Sequence, residues 1–373
     1  MKVLITGAQG FIGKNLLLHL AERKDVEVVP FTRDHQGTDL PHLLADVDVV
    51  FHLAGINRPQ DPEEFVTGNA DLTRTLCQAI ALRAGERRIS VIHTSSTQAA
   101  NDNPYGRSKR AAELALFELQ RKHGTAVHVF RLPNVFGKWC RPNYNSAVAT
   151  FCHNIARELP IQVNDPAATL TLVYVDDVIA RFVQLMDGAA ASTDAEGFAT
   201  LTPQYTTTVG EVADRIANFK ASRLTLVTDR VGTGLTRALY STYVSYLPPT
   251  DFTYPVPRHA DARGAFVEML KTPDCGQFSF FTALPGVTRG GHYHHSKTEK
   301  FLVIQGQARF RFRQMLTGET HELHTEADAP QVVETVPGWT HDITNTGERD
   351  MVVMLWANEI FDRERPDTFA CPV

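Results

Sequence analysis

Short apolar runs and helical periods alternate along the first 135 residues. Residues 3–5, 26–31, 47–53, 89–93 and 127–130 are runs with little polar interruption, which predicts strands buried on both faces. Between them, residues 11–20, 69–82 and 105–121 carry apolar side chains at helical spacing. This alternation predicts a Rossmann-type doubly wound parallel sheet with helices on both faces. From 138 to 247 the order is mixed, with helices predicted near 146–158, 178–186 and 209–220 and a strand at 170–175. The run LPPTDFTYPVP holds four prolines, and 248–257 reads as a linker. Beyond it the pattern is all-β, with strands predicted at 278–284, 301–304, 308–313, 332–336 and 351–356 between Gly, Pro and Asn turns. A small barrel or double-sheet jelly roll over 258–373 is the natural reading. Two architectures, 1–247 and 258–373, are joined in one chain.

Composition narrows the class. With 43% hydrophobic and 21% charged residues, the 373-residue chain can bury a substantial core. A net charge of -5 argues against nucleic-acid partners, which need a basic surface. No stretch reaches about 18 uninterrupted apolar residues, so no membrane span is expected. The opening MKVLITGAQG lacks the form of a signal peptide. The cysteines (Cys77, Cys140, Cys152, Cys275 and Cys371) are odd in number and form no CxxC pair, the usage of free thiols in a reducing, cytoplasmic setting.

Candidate chemistry begins at once. Gly7-Ala8-Gln9-Gly10-Phe11-Ile12-Gly13 follows the first strand and opens the first helix, where glycines let backbone approach a pyrophosphate on the helix N-terminus. The second strand ends in Phe31-Thr32-Arg33-Asp34. Arg33 is placed to pair with a 2′-phosphate, which favours NADP(H), whereas Asp34 in another register would favour NAD. Tyr105 and Lys109, four apart on a predicted helix, share a face, and an ammonium beside a phenol is expected to lower its pKa. The fourth strand runs into Ser95-Ser96, delivering a hydroxyl to the carboxyl edge of the sheet.

Towards the other end, six of the fifteen histidines fall between 292 and 341. Residues two apart on a strand face the same way, so His292 and His294 converge. With Glu299 and His341 they make a set able to hold a divalent metal, zinc first, with nickel, iron and manganese as alternatives. His295 is a further candidate. Gly286-x5-His292-x-His294-x4-Glu299-x6-Gly306 and Gly338-x2-His341-x3-Asn345 resemble the two cupin motifs, although Pro337 stands one position later than that pattern has it.

The first part resembles the extended short-chain dehydrogenase/reductases, through GAQGFIG (7–13), HLAG (52–55), HTSST (93–97), YGRSK (105–109), RLPNVFG (131–137) and VYVDDV (173–178). The resemblance implies Tyr105 as general acid, Lys109 as its partner and holder of the nicotinamide ribose, and Ser96, or Ser95 in a shifted register, as donor to the substrate carbonyl. It also implies Leu53, Ala54 and Gly55 along the cofactor's adenosine side, Asn134 on the substrate, and the nucleoside diphosphate in 138–247. Asp261-Ala262-Arg263-Gly264, Gln277 and Arg289-Gly290-Gly291-His292-Tyr293 are similar to the dTDP-4-keto-6-deoxysugar 3,5-epimerases, in which the residue at His292 is a base, not a ligand.

Over its full length, including 138–146 and 240–255, the chain resembles the bifunctional bacterial enzymes of the UDP-N-acetyl-L-fucosamine branch of capsule and O-antigen synthesis. The resemblance implies C3 epimerisation by the cupin, then NADPH-dependent C4 reduction to UDP-2-acetamido-2,6-dideoxy-β-L-talose. The order has a chemical reason: the C4 ketone acidifies the hydrogen at C3, and reduction removes that ketone. Two rival readings are a plain nucleotide-sugar reductase with a structural cupin and a non-catalytic NADP sensor. Two pairing surfaces in one chain predict at least a homodimer.

Overall fold

The computed structural model describes residues 1–85, 87–261, 264–267, 269–272, 276–359 and 362–373, with the side chains of 258–261, 264–267 and 277 left aside. The chain divides into two compact units, Met1–Val135 with Thr171–Gln204, and Phe136–Leu170 with Tyr205–Val373.

The first unit is built on five parallel strands, β1 (Lys2–Thr6), β2 (Glu27–Phe31), β3 (Val49–His52), β4 (Ser90–Ser96) and β5 (Ala126–Leu132), in the order β2-β1-β3-β4-β5. All five match predicted runs. On one face Leu4, Val50, Val91 and Val129 pack against Leu76, Ile80, Leu116 and Leu119, from α2 (Leu72–Ala81) and α3 (Pro104–His123). On the other, Phe51 and Phe130 meet Phe182 of helix Val175–Met186, with ring centroids 6.2 and 5.2 Å apart. Successive side chains of a central strand thus enter different cores, which is why β1 and β3 read as nearly unbroken apolar runs, while the edge strand β2 is partly exposed. The strand order reverses between β1 and β3, and ligands of such sheets bind at the carboxyl ends beside that point.

In the second unit two antiparallel five-stranded sheets form a jelly roll. The strands are β6 (Thr253–Pro255), β7 (Gln277–Ala283), β8 (Thr288–Tyr293), β9 (Glu299–Gln305), β10 (Gln307–Gln314), β11 (Thr320–Glu326), β12 (Gln331–Glu334), β13 (Trp339–Asn345), β14 (Met351–Ala357) and β15 (Phe369–Ala370). One sheet has the order β7-β14-β9-β12-β6 and the other β11-β10-β13-β8-β15. β6 lies inside the proline-rich segment 248–257. Its one proline, Pro255, is tolerated because it is an edge strand, paired on one side only.

Three helices belong to the same unit: α4 (Ala147–Ala156), α5 (Val209–Thr225) and α6 (Gly234–Ser245). A buried ion network ties α5 and α6 to the β-strands. Glu334 of β12 receives Arg223 of α5, Lys300 of β9 and, at 3.2 Å, the Tyr240 hydroxyl of α6, while Lys300 donates to Tyr254 at 2.9 Å. Burial alone would raise the Glu334 carboxyl, but Lys300 and Arg223 outweigh it and hold the group below the usual carboxylate range.

Candidate active sites

The glycine turn has the geometry its spacing implies. Gly7 sits at φ +71°, and a Cβ there would lie 2.6 Å from Ala54 N; one on Gly13 would lie 2.2 Å from Gly7 O. The turn is closed by Gly10 N donating to Gly7 O at 2.8 Å, and α1 (Phe11–Ala21) begins with no side-chain cap. Free N–H groups at that end are what a pyrophosphate requires. Leu53 and Ala54 are drawn against β1, their N–H groups donating to Thr6 O and Thr6 Oγ1, both at 3.2 Å. Arg33 and Asn134 follow β2 and β5 at the same carboxyl edge of the sheet. Arg33 is exposed, Asp34 accepts a hydrogen bond from Thr32 Oγ1 at 3.2 Å, and Asn134 donates to Thr171 O at 3.1 Å.

Helix α3 starts where Asn103 Oδ1 accepts from Gly106 N at 2.8 Å and Pro104 takes the first helical position. That start places Tyr105 beside the end of β4, where its hydroxyl is hydrogen-bonded to the Ser96 side chain. The two serines separate cleanly: Ser95 is buried and donates to Glu113, while Ser96 is part-exposed, caps the turn Thr97–Ala100 and reaches Tyr105. Lys109 is buried, with Nζ donating to Thr94 O at 2.7 Å and 3.7 Å from where a Cβ on Gly55 would stand. Burial lowers it to about 8, with Glu113 acting the other way.

One expectation is corrected here. The phenol of Tyr105 is raised above its ordinary value, because burial outweighs the hydrogen bond from Ser96. Such a group keeps its proton until it is asked to give it, as a general acid must. Asn69 was not legible in the sequence pattern. It sits in a π-turn, Val66–Asp71, and its side chain joins Ile56 N, Ile56 O and Ser108 Oγ at 2.9–3.0 Å, bracing the 55–56 loop against α3.

In the β-domain, a bulge in β8 between Gly290 and His292 sets His292 opposite His341 of β13. The rings of His292, His294 and His341 lie 4.8–5.3 Å apart by centroid. Together with Glu299 they offer four ligand atoms all within 4.8 Å of one another. His295 turns elsewhere, its ring packing on Tyr293 and Phe369. The Pro337-Gly338 turn serves the cluster, since Gly338 N donates to His294 O at 3.0 Å. Ala262, Arg263 and Cys275 lie outside the described residues.

The donor set fits a cation. His294 Nδ1 lies 2.6 Å from Asp367 O and donates to that carbonyl, so Nε2 is the ring atom turned to the other ligand atoms. That Nε2 is 3.0 Å from Glu299 Oε2, a contact that either a proton or a bound cation can join. His341 Nε2 is buried without a hydrogen-bond partner among the described residues, 3.6 Å from the same oxygen. Burial, with His341 and His294 beside it, pushes His292 down to about 3, and burial also lowers His341; both rings are neutral near pH 7, the form that ligates. Burial works against ionisation of Glu299, but His294 and His341 hold it well below the usual carboxylate range.

Comparison with known proteins settles the family. Residues 3–198 match the NAD dependent epimerase/dehydratase family, and 259–369 match the polysaccharide biosynthesis C-terminal domain. The chain belongs to the NAD dependent epimerase/dehydratase family. More narrowly, it belongs to the group that joins this domain to the polysaccharide biosynthesis domain. It is 62% identical to the UDP-2-acetamido-2,6-beta-L-arabino-hexul-4-ose reductase of Pseudomonas aeruginosa, over 100% of this chain and 99% of that one. Among solved structures, the capsular polysaccharide assembling protein CapF of Staphylococcus aureus is 41% identical, with a TM-score of 0.67 and full coverage of both chains. A more distant relative, UDP-glucuronic acid decarboxylase 5 of Arabidopsis thaliana, is 26% identical over 50% of this chain and 67% of its own. This family member is thus a nicotinamide-dependent oxidoreductase of nucleotide-sugar and polysaccharide metabolism. No helix among the described residues is long and apolar enough to cross a membrane.

Proposed function

We propose that the chain is bifunctional. The β-domain inverts C3 of a UDP-2-acetamido-2,6-dideoxy-L-hexulos-4-ose, and the first unit then reduces C4 with NADPH, giving UDP-2-acetamido-2,6-dideoxy-β-L-talose. The observation that carries this reading is the 62% identity, end to end, with a protein whose name describes reduction of such a 4-ketohexulose. In reduction, Tyr105 gives its proton to the C4 oxygen, Ser96 donates a hydrogen bond to that oxygen, and Lys109 offsets the charge left on the phenolate. Gly7, Gly10, Phe11, Ile12 and Gly13 hold the pyrophosphate, Leu53, Ala54 and Gly55 line the adenosine side, and Asn134 touches substrate. His292, His294, Glu299 and His341 would hold a divalent metal, which when bound supplies Lewis-acid polarisation of a ketone oxygen. The ligand role for His292 is supported by its place among the other three. NADPH oxidation with a panel of UDP- and dTDP-4-keto-6-deoxy sugars, with metal analysis of the same preparation, tests the whole reading. Turnover with no UDP-linked ketose, or a metal-free preparation that still inverts C3, contradicts it.

The preference for NADPH rests on Arg33, whose guanidinium can grip a 2′-phosphate with paired hydrogen bonds. Replacing Arg33 by Ala should raise KM for NADPH about tenfold or more, the equivalent of ~1.4 kcal/mol, and leave KM for NADH nearly unchanged. Equal use of both cofactors by the unaltered protein would remove the basis for this assignment.

Assembly is read as a homodimer at least. Edge strand β7 turns Phe278 and Phe280 outward, the latter 71% exposed, with Leu284 just beyond it at 62%. An apolar sheet edge of this kind invites pairing with a second copy. Light scattering at micromolar concentration should give at least twice the 41.4 kDa chain mass, and a monomer mass refutes the reading.

A further inference from the structure

We propose that residues 366–372 act as a strap that fixes the ring tautomer and position of His294, with Asp367 as its positioning residue. The inference rests on the metal-site reading above and extends it to a part of the chain that carries no ligand.

The strap is held along its length. β15 pairs with β8 so that Ala370 opposes His292 and Phe369 opposes Tyr293. Cys371 N donates to Gly291 O at 2.7 Å, Arg313 Nη2 to Pro372 O at 2.6 Å, and Thr340 Oγ1 to Cys371 O. The strand that carries His292 is therefore bounded by β13 on one side and by the strap on the other.

Asp367 does two things at once. Its carbonyl oxygen accepts from His294 Nδ1 at 2.6 Å. Its carboxylate accepts from three successive backbone N–H groups, His295 at 2.9, Ser296 at 2.9 and Lys297 at 2.7 Å, and from Ser296 Oγ at 3.0 Å. Consecutive N–H groups converging on one anion make a fixed cradle, here filled from within the chain. Asp367 also has φ +38°, a backbone conformation in which Asp and Asn are enriched among residues with a side chain. The carboxylate thus pins a strained residue whose carbonyl orients a histidine. A histidine that ligates through one nitrogen commonly donates from the other to a carbonyl, and losing such a partner typically weakens metal binding 10–100-fold.

The test uses the full chain and zinc. Asp367→Ala should raise the zinc dissociation constant by about 10–100-fold, and Asp367→Asn, which keeps one acceptor oxygen and tolerates the same backbone, should restore most of the affinity. Nitrogen-15 NMR of labelled histidines in the metal-free protein should show His294 as the Nδ1–H tautomer, and Asp367→Ala should lose that signature. Zinc affinity within twofold of the unaltered protein, or an Nε2–H tautomer for His294 in that protein, overturns the proposal. If Asp367→Ala does not fold, the tautomer of His294 in the unaltered protein decides: the Nδ1–H form supports the strap and the Nε2–H form overturns it. If the unaltered protein binds no zinc, the metal reading fails by itself, and the tautomer measurement still decides the role of Asp367.

Discussion

Replacing Tyr105 by Phe is expected to slow NADPH-dependent reduction of the keto sugar by roughly 10²–10⁴-fold, the range of a lost general acid. The substitution removes one hydroxyl from a ring that packs 5.5 Å from Phe65 by centroid, so the fold around α3 should stand. What is lost is the proton that must reach the C4 oxygen as hydride arrives at carbon. Burial raises the phenol and Ser96 alone opposes it, so the proton is present throughout the neutral range. Lys109, lowered by burial to about 8, is charged at neutral pH and loses that charge as pH rises further. The charge that would stabilise a phenolate is then gone, so the rate of the unaltered enzyme should fall with rising pH above about 8. Steady-state NADPH oxidation across pH 6–10 measures both effects. A Phe variant that keeps a tenth of the normal rate, or a profile that climbs through pH 8, removes Tyr105 and Lys109 from these roles.

The legible parts of this molecule are those where one physical demand dominates the residue choice. β1 and β3 are buried on both faces, so most of their residues are apolar and the runs declare themselves. The glycine turn is legible because close backbone approach admits no side chain at Gly7 or Gly13. The histidine cluster is legible because His292 and His294 stand at strand spacing with Glu299 close behind, and His341 stands in a second glycine-led motif.

Elsewhere the demands compete. β13 is fully buried yet reads Trp-Thr-His-Asp-Ile-Thr-Asn, since its interior positions serve polar partners as well as a core. β11 is an edge strand, largely polar, with only Thr325 buried. α6 is rich in Ser, Thr and Tyr, weak helix formers that burial and contacts such as Tyr240 to Glu334 hold in place. Asn69 and Asp367 were invisible for a different reason: each acts through partners distant in sequence, and a lone Asn or Asp carries no spacing to read. The lowered phenol expected for Tyr105 failed because helical spacing reveals neither the depth of burial, which raises the phenol, nor that the Lys109 ammonium donates to Thr94 O.

The division of labour between the two units carries the other large expected effect. His294→Ala takes away one of four ligand atoms and the partner that faces Glu299 at 3.0 Å. Zinc content should fall sharply, and deuterium uptake at C3 of the keto sugar in heavy water should drop by at least about 10²-fold. The first unit is untouched, so an already inverted keto sugar should still be reduced at a near-normal rate. Tyr105→Phe is expected to behave in the opposite way, placing deuterium at C3 while consuming almost no NADPH. Neither loss should be rescued by more cofactor, but mixing the two variants should restore conversion of the uninverted substrate, since each supplies the step the other lacks. Mass spectrometry and NMR of the recovered sugar nucleotide report both steps in one experiment. Normal exchange by His294→Ala would show that inversion occurs elsewhere, leaving the histidine cluster a structural role. If Tyr105→Phe also loses exchange, one site performs both steps and the proposed sequence of inversion before reduction fails.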